Sequence, residues 1–219
     1  MHYFNLNDLD SLSKVYRLNL INSITGYKSA NLIGTQSLNG ITNLAIFSSV
    51  IHLGSNPALI GFVLRPTTVP RHTYSNLKAT GSFTLNTVTK DYIKDAHQTS
   101  AKYPEEISEF DVTNFSIEHK RKTNAPYVKG SPIQIGCNYE NEYHIKENNT
   151  VLIIGSIKEL YISQTLLMDD GWVQLDNENI VTINGLDGYA VPKLIDRFPY
   201  ARPKSWNLTK WIYGQRKLE

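Results

Sequence analysis

Short apolar or alternating runs, each closed by a turn signal, constrain this chain more than any other feature. Residues 28–36, 41–53, 58–64, 82–88, 112–119, 133–143 and 151–163 read as strands. Ser37-Leu-Asn-Gly40, Asn56-Pro57, Asn124-Ala-Pro126 and Gly130-Ser-Pro132 punctuate them. Asn39-Gly40 is the pair favoured in a type I′ hairpin, whose two central residues both need positive φ. Helical spacing is confined to three places. In residues 8–24, Leu9, Leu12, Val15, Tyr16 and Leu20 recur, with Asp8 or Asp10 as cap and Gly26 as stop. A short helix opens at Thr73 as N-cap and ends at Gly81, and residues 89–102 follow Thr89. Many strands and few helices point to a mainly β, antiparallel barrel, whose closure removes exposed sheet edges. The strand–helix–strand passage at residues 64–88 stands alone and no Gly-x-Gly-x-x-Gly is present, which argues against a doubly wound parallel sheet.

No repeat, low-complexity linker or composition break divides the 219 residues. A single domain over residues 1–219 is expected, with an N-terminal helix and a wrapping tail that carries Pro192, Pro199 and Pro203. A net charge of +2 supplies no strong field, so nucleic acid and anionic membrane are not indicated as partners. The dense basic run His119-Lys-Arg-Lys122 reads as a solvated hairpin tip, and residues 105–111 as an exposed acidic stretch. Cys137 is alone and mid-strand, hence no disulfide and an inert thiol. His52, His97 and His144 lack ligand spacing, so no metal site is expected. The first residues lack the features of a secretory signal, and no run approaches the roughly 18–20 apolar residues of a membrane span. The cytoplasm is the expected compartment.

Chemistry concentrates between residues 43 and 86. Asn43-Leu-Ala-Ile-Phe-Ser-Ser49 is an apolar strand ending in adjacent hydroxyls. Arg65 closes the next strand, Arg71-His72-Thr73 opens a helix, and Asn86 sits in Phe83-Thr-Leu-Asn86. Such an order suits a flat phosphorylated cofactor. The strand offers a wall and main-chain hydrogen bonds, with Ala45 small enough for a planar ring to approach and Phe47 beside it. Ser48, Ser49, Arg65 and the Thr73 helix start offer donors to a dianion. Positive Arg71 and His72 at a helix start conflict with the helix dipole unless an anion sits there. Asn43 and Asn86 present amides suited to ring carbonyls and nitrogens. His97 shares a helical face with Ile93 and Ser100 and is the candidate for touching the ring or its reductant.

The ordered set from Lys28 to Asn86 resembles the flavin reductase-like family: a hairpin turn, an Asn-x-Ala-x-Phe-Ser strand, a proline turn, an apolar strand ending in a basic residue, a Thr-started helix and a Phe-x-x-Asn strand. The resemblance implies an antiparallel split β-barrel (Greek key) with a few peripheral helices, and a homodimer with FMN near the subunit boundary. It implies hydride passing from NADH or NADPH to FMN and on to oxygen, free flavin or a partner oxygenase. A flavin-binding protein without turnover and a pyridoxine-phosphate oxidase-like split barrel are the alternatives. The chain departs from the family where members carry Gly-Asp-His and it has Asn148-Asn149-Thr150.

Overall fold

Two helices precede the first strand of the computed structural model, which describes residues 1–202. They are α1 (Leu6–Ser11) and α2 (Lys14–Ser23), where the periodicity predicts one helix over residues 8–24. The break has a local cause. Asn5 and Asp8 form a reciprocal capping box on α1, Leu12 turns extended, and the Ser13 hydroxyl accepts from Tyr16 N to start α2 afresh. The caps are therefore Asn5 and Ser13, not Asp8 or Asp10.

The strands are β1 (Lys28–Ser29), β2 (Asn31–Gln36), β3 (Thr42–Phe47), β4 (Ile51–Ser55), β5 (Ala58–Leu64), β6 (Ser82–Thr87), β7 (Ile117–Glu118), β8 (Tyr127–Val128), β9 (Ile133–Ile145), β10 (Thr150–Ile162), β11 (Thr182–Asn184) and β12 (Gly188–Ala190). Helices α3 (His72–Thr80) and α4 (Ile93–Gln98) complete the set. Residues 89–102 hold only a 3-10 turn at Lys90–Tyr92 followed by α4, and residues 112–119 hold only β7. The main sheet has seven antiparallel strands in the order β3-β2-β6-β9-β10-β5-β4.

That order forces closure. The predicted strand over residues 41–53 is split between β3 and β4, which lie at the two ends of the ladder yet are linked only by Ser48-Ser49-Val50. A flat sheet of seven strands would separate its edge strands by about 29 Å. The four residue steps from Phe47 to Ile51 reach about 14 Å at most. The sheet must curl until its ends nearly meet, giving a mainly β split barrel. At the seam the Ser49 hydroxyl stands in for a neighbouring strand, donating to Val63 O (3.0 Å) and accepting from Val63 N (3.1 Å).

Alternation sorts side chains to two layers. Ile33, Phe62, Phe83, Leu85, Val151 and Ile153 fill the barrel, with the Phe47, Phe62 and Phe83 rings stacked edge to face at 5.2 and 5.4 Å. Leu32, Leu44, Val88, Ala96, Phe110 and Val181 form the outer layer, under α4 and the 108–116 loop. Gly155 sits where a Cβ would lie 2.5 Å from Phe83 Cζ, so only glycine lets that ring fill the interior. The hairpin between β2 and β3 is not type I′. Gly40 alone is left-handed (φ 84°), with Gly40 N on Ser37 O and Ser37 N on Ile41 O, a three-residue loop whose last residue takes the positive φ.

Candidate functional site

Strand β3 runs along one edge of the ladder, so one side of its backbone has no strand neighbour. Register places Asn43, Ala45 and Phe47 on the barrel face, opposite Thr35, Ile33 and Asn31. Ala45, Phe47 and Ser48 are half-buried, open enough to be touched from outside. Asn43 is buried and donates to Thr35 Oγ1 (3.3 Å) and Thr73 Oγ1 (3.1 Å), tying β3 to the first turn of α3. Asn76 reaches the same Thr35 oxygen at 3.2 Å.

Helix α3 begins two residues earlier than the sequence predicts. Arg71 occupies the N-cap position, without a side-chain cap bond, and Thr73 lies inside the helix. Thr73 is buried against Asn43, so its hydroxyl is spent on tertiary packing rather than on capping. The first turn contains no acidic residue, and Arg71 and His72 are half-buried there. Arg71 Nε donates to Pro66 O (3.3 Å), which fixes the loop from Arg65 to the helix. Arg65 is exposed and makes no ion pair or hydrogen bond among the described residues. It follows Val63 by two residues, so the Ser49–Val63 seam holds the end of β3 next to the strand that carries it.

Two predicted site residues are not brought to this face. Asn86 pairs with Leu32 and points to the outer layer, fully buried. Its amide donates to Leu32 O and Thr84 Oγ1 and accepts from Val128 N, which is the work of a strut and leaves no surface for a ligand. His97 is exposed on α4, also on the outer layer, with Nδ1 3.2 Å from the Tyr189 hydroxyl. Ser49 reaches the site by its backbone only, since its hydroxyl bridges Val63. The remaining set fits a flavin phosphate. An uncapped helix start and the Arg65 and Arg71 cations supply positive charge, and a half-buried strand supplies a wall.

Sequence reasoning missed Glu109. Residues 105–111 read as exposed, yet Ser108, Glu109 and Phe110 are buried. Glu109 Oε2 accepts from Leu44 N at 2.8 Å, which satisfies an orphan donor on the free edge of β3 between Asn43 and Ala45. Burial pushes its carboxyl up, against the Leu44 N–H and nearby His72, which pull it down. Phe110 beside it is the one signal that this stretch turns inward. A second cluster flanks α3. Glu142 accepts from Tyr74 (2.9 Å) and Tyr139 (3.0 Å) and lies 3.3 Å from Lys78 Nζ and 3.4 Å from His144 Nε2. Burial raises the Glu142 carboxyl, and Tyr74, Tyr139 and Lys78 more than offset it, leaving it low. Burial alone raises the Cys137 thiol far above its usual range, in keeping with inertness. Among the described residues no group of acidic, His and Cys side chains is placed to hold a metal, and no helix is long and apolar enough to cross a membrane.

Residues 28–173 match the flavin reductase like domain. The chain belongs to the flavin reductase-like family. A split barrel domain protein from Shewanella frigidimarina NCIMB 400 is 40% identical, with 92% of this chain and 100% of that chain covered at a TM-score of 0.88. Nitrilotriacetate monooxygenase component B from Bacillus cereus (20% identical, 91% and 98% covered, TM-score 0.77) shares the fold. So does an FMN-binding protein from Thermus thermophilus solved with 1-cyclohex-2-enone (14% identical, 81% and 93% covered, TM-score 0.69). The family match begins at the residue that opens β1 and ends past β10, so it spans the whole barrel and the site on β3 and α3.

Proposed function

We propose that this flavin reductase-like protein binds FMN and accepts electrons from NADH or NADPH for delivery to oxygen, free flavin or a partner oxygenase. The observation that carries the reading is the start of α3. A helix whose N-cap, Arg71, makes no side-chain capping bond, and whose first turn holds no acidic residue, is short of negative charge. Arg65 and Arg71 flank the loop that leads into it. In this reading they hold the phosphate, Ala45 and Phe47 give the ring a wall, and the main chain from Ser48 to Ser49 meets its polar edge. Bound flavin would supply the two-electron chemistry, and the protein's part is to bind, orient and exclude water. No side chain on the barrel face of β3 is a proton donor, which suits a reaction whose bond-making belongs to the cofactor. His97, on the opposite layer, is not assigned a part in it.

The test is the absorption spectrum of the purified protein, before and after anaerobic NADH or NADPH. Flavin absorbance that survives gel filtration and bleaches with either nicotinamide is the expected result. A flavin that stays oxidised under both while dithionite bleaches it would reduce the reading to binding without turnover.

A further inference from the structure

The basic run His119-Lys-Arg-Lys122 does not lie at a free hairpin tip. The strap from β7 to β8 is pinned to the outer face of the barrel: Thr84 Oγ1 donates to Pro126 O (2.6 Å), Val128 N to Asn86 Oδ1 (3.0 Å), and the Tyr127 hydroxyl to Glu159 (2.7 Å). Gln134 Nε2 holds both of its strands, donating to Glu118 Oε2 (2.9 Å) and to Val128 O (2.6 Å). Lys120 is fixed as well, 3.1 Å from Glu118 and with its ammonium 3.9 Å from the centre of the Tyr161 ring. The two carboxylates that meet the strap are engaged there, Glu118 by Lys120 and Gln134, and Glu159 by the Tyr127 and Tyr161 hydroxyls.

Three cations on this rigid strap are left over. Arg121, Lys122 and Lys129 are exposed and make no ion pair among the described residues. Arg121 lies within electrostatic reach of Tyr161 and Lys129 within reach of Glu118, so they flank the Lys120 anchor. Beside the strap runs an open groove of about 480 Å³. Its far walls come from the β2–β3 hairpin at Ser37 and from the junction of α3 and β6 at Thr80 and Ser82. Arg121 and Lys122 do not line it, but they stand in the chain between Lys120 and Thr123, which do. The lining has no carboxylate and no aromatic ring. Within it the Ser82 hydroxyl and the Asn124 amide have no hydrogen-bond partner among the described residues.

We propose that strap and groove together dock an extended acidic segment of a partner protein, its carboxylates on Arg121, Lys122 and Lys129 and its main chain in the groove. Hydroxyls and amides suit the alternating donors and acceptors of a peptide backbone. Unpaired cations beside them suit carboxylates, and a pinned strap loses little freedom on binding. Nucleic acid is the poorer match, because the groove offers no ring on which a base could stack. The chain's own last residues are a poor match too, since Lys204, Lys210, Arg216 and Lys217 repeat the charge of the strap. The inference goes beyond the flavin reading and does not depend on it, because none of these residues belongs to the site on β3 and α3.

The experiment is an anisotropy titration of the full-length protein with a fluorescein-labelled octapeptide of alternating aspartate and glutamate, at low salt. The same peptide with asparagine and glutamine is the neutral probe. Exposed ion pairs contribute little singly, so the three cations together should favour the acidic probe by about tenfold. The Arg121→Ala, Lys122→Ala double variant should bring the probes within about threefold. Its melting temperature should not change, because both side chains are exposed. Asn124→Trp keeps the cations and fills the groove, so it should weaken both probes alike, by about fivefold for each main-chain hydrogen bond lost. Equal binding of the two probes by the wild type, or a preference that survives in the double variant, overturns the proposal. So does an Asn124→Trp variant that binds both as the wild type does. An oligothymidylate that binds as tightly as the acidic peptide would reduce the strap to a general polyanion surface and also overturns it. A double variant whose mass in solution differs from the wild type would make the occupant a second copy of the chain, and the partner falls.

Discussion

Arg65 is the residue whose surroundings say most about a ligand, since it ends a strand in water beside the seam with no protein partner among the described residues. A guanidinium so placed contributes to binding an anion without first giving up an internal bond. Charge-assisted hydrogen bonds contribute roughly 1.5–3 kcal/mol each. Arg65→Ala is therefore expected to weaken FMN by about tenfold or more and leave riboflavin unaffected, as read by fluorescence quenching titrations. Equal losses for both ligands would move the phosphate elsewhere. Glu109 poses the opposite situation, a carboxylate committed to Leu44 N in a buried place. Burial raises its folded-state pKa above the ordinary carboxylate range near about 4.3. A group raised on folding stabilises the protein below its unfolded pKa, and that contribution is lost as pH climbs through the folded pKa. Urea midpoints of the wild type should thus fall as pH rises from the ordinary carboxylate value toward neutrality. Glu109→Gln keeps an acceptor for Leu44 N and removes the charge, so it should flatten that dependence and be no less stable at pH 8. A steeper slope in the glutamine variant would contradict the assignment.

At the scale of elements, the strands read from the sequence largely coincide with β5, β6, β9 and β10, because each is a clean apolar or alternating run between turn residues. Residues 41–53 mislead for a physical reason. Ser48-Ser49-Val50 contains no Gly or Pro, and the apolar pattern resumes at once in β4, so nothing local marks the passage from one end of the ladder to the other. The same gap explains the site. Asn43, Ala45 and Phe47 were legible as one face by simple alternation, whereas the outward placement of Asn86 and His97 depends on register with β2 and on where α4 packs. Closure itself can be tested. Ser49→Ala leaves the Val63 N–H and C=O without their partner, at a cost of about 1–3 kcal/mol. That should lower the melting temperature by about 2–4 °C per kcal/mol, whereas Ser49→Thr, which keeps the hydroxyl, should lower it less. Gly155→Ala forces a methyl against the Phe83 ring and should cost roughly 1–3 kcal/mol by overpacking. If the clash is the cause, adding Phe83→Leu should recover part of the loss, and a double-mutant cycle measures the coupling. Purely additive losses would place the strain elsewhere.

Among the described residues the N-terminal helices lie largely open. Neither α1 nor α2 buries a residue, and Leu6, Val15 and Ile24 are 71%, 68% and 66% exposed. Isolated helices shorter than about 12–15 residues are marginal in water, so α2, with ten, needs an apolar neighbour to persist. A second copy of the chain is the neighbour we propose, in keeping with the homodimer that the family resemblance implies. Tyr200 of the proposed wrapping tail is exposed, and Trp206 and Trp211 lie outside the described residues. Light scattering at micromolar concentration should give twice the chain mass of 24.8 kDa. Val15→Asp combined with Ile21→Asp places two charges on the exposed apolar side of α2 and should shift the species toward monomer, with the barrel still folded by circular dichroism. Flavin retention then separates two arrangements. A site at the subunit boundary loses FMN along with the partner, while a site complete within one barrel keeps it. A wild-type monomer with full flavin occupancy would assign the cover of α2 to the chain's own C-terminal segment, and cutting the chain after Arg202 would then be expected to expose and melt the helix.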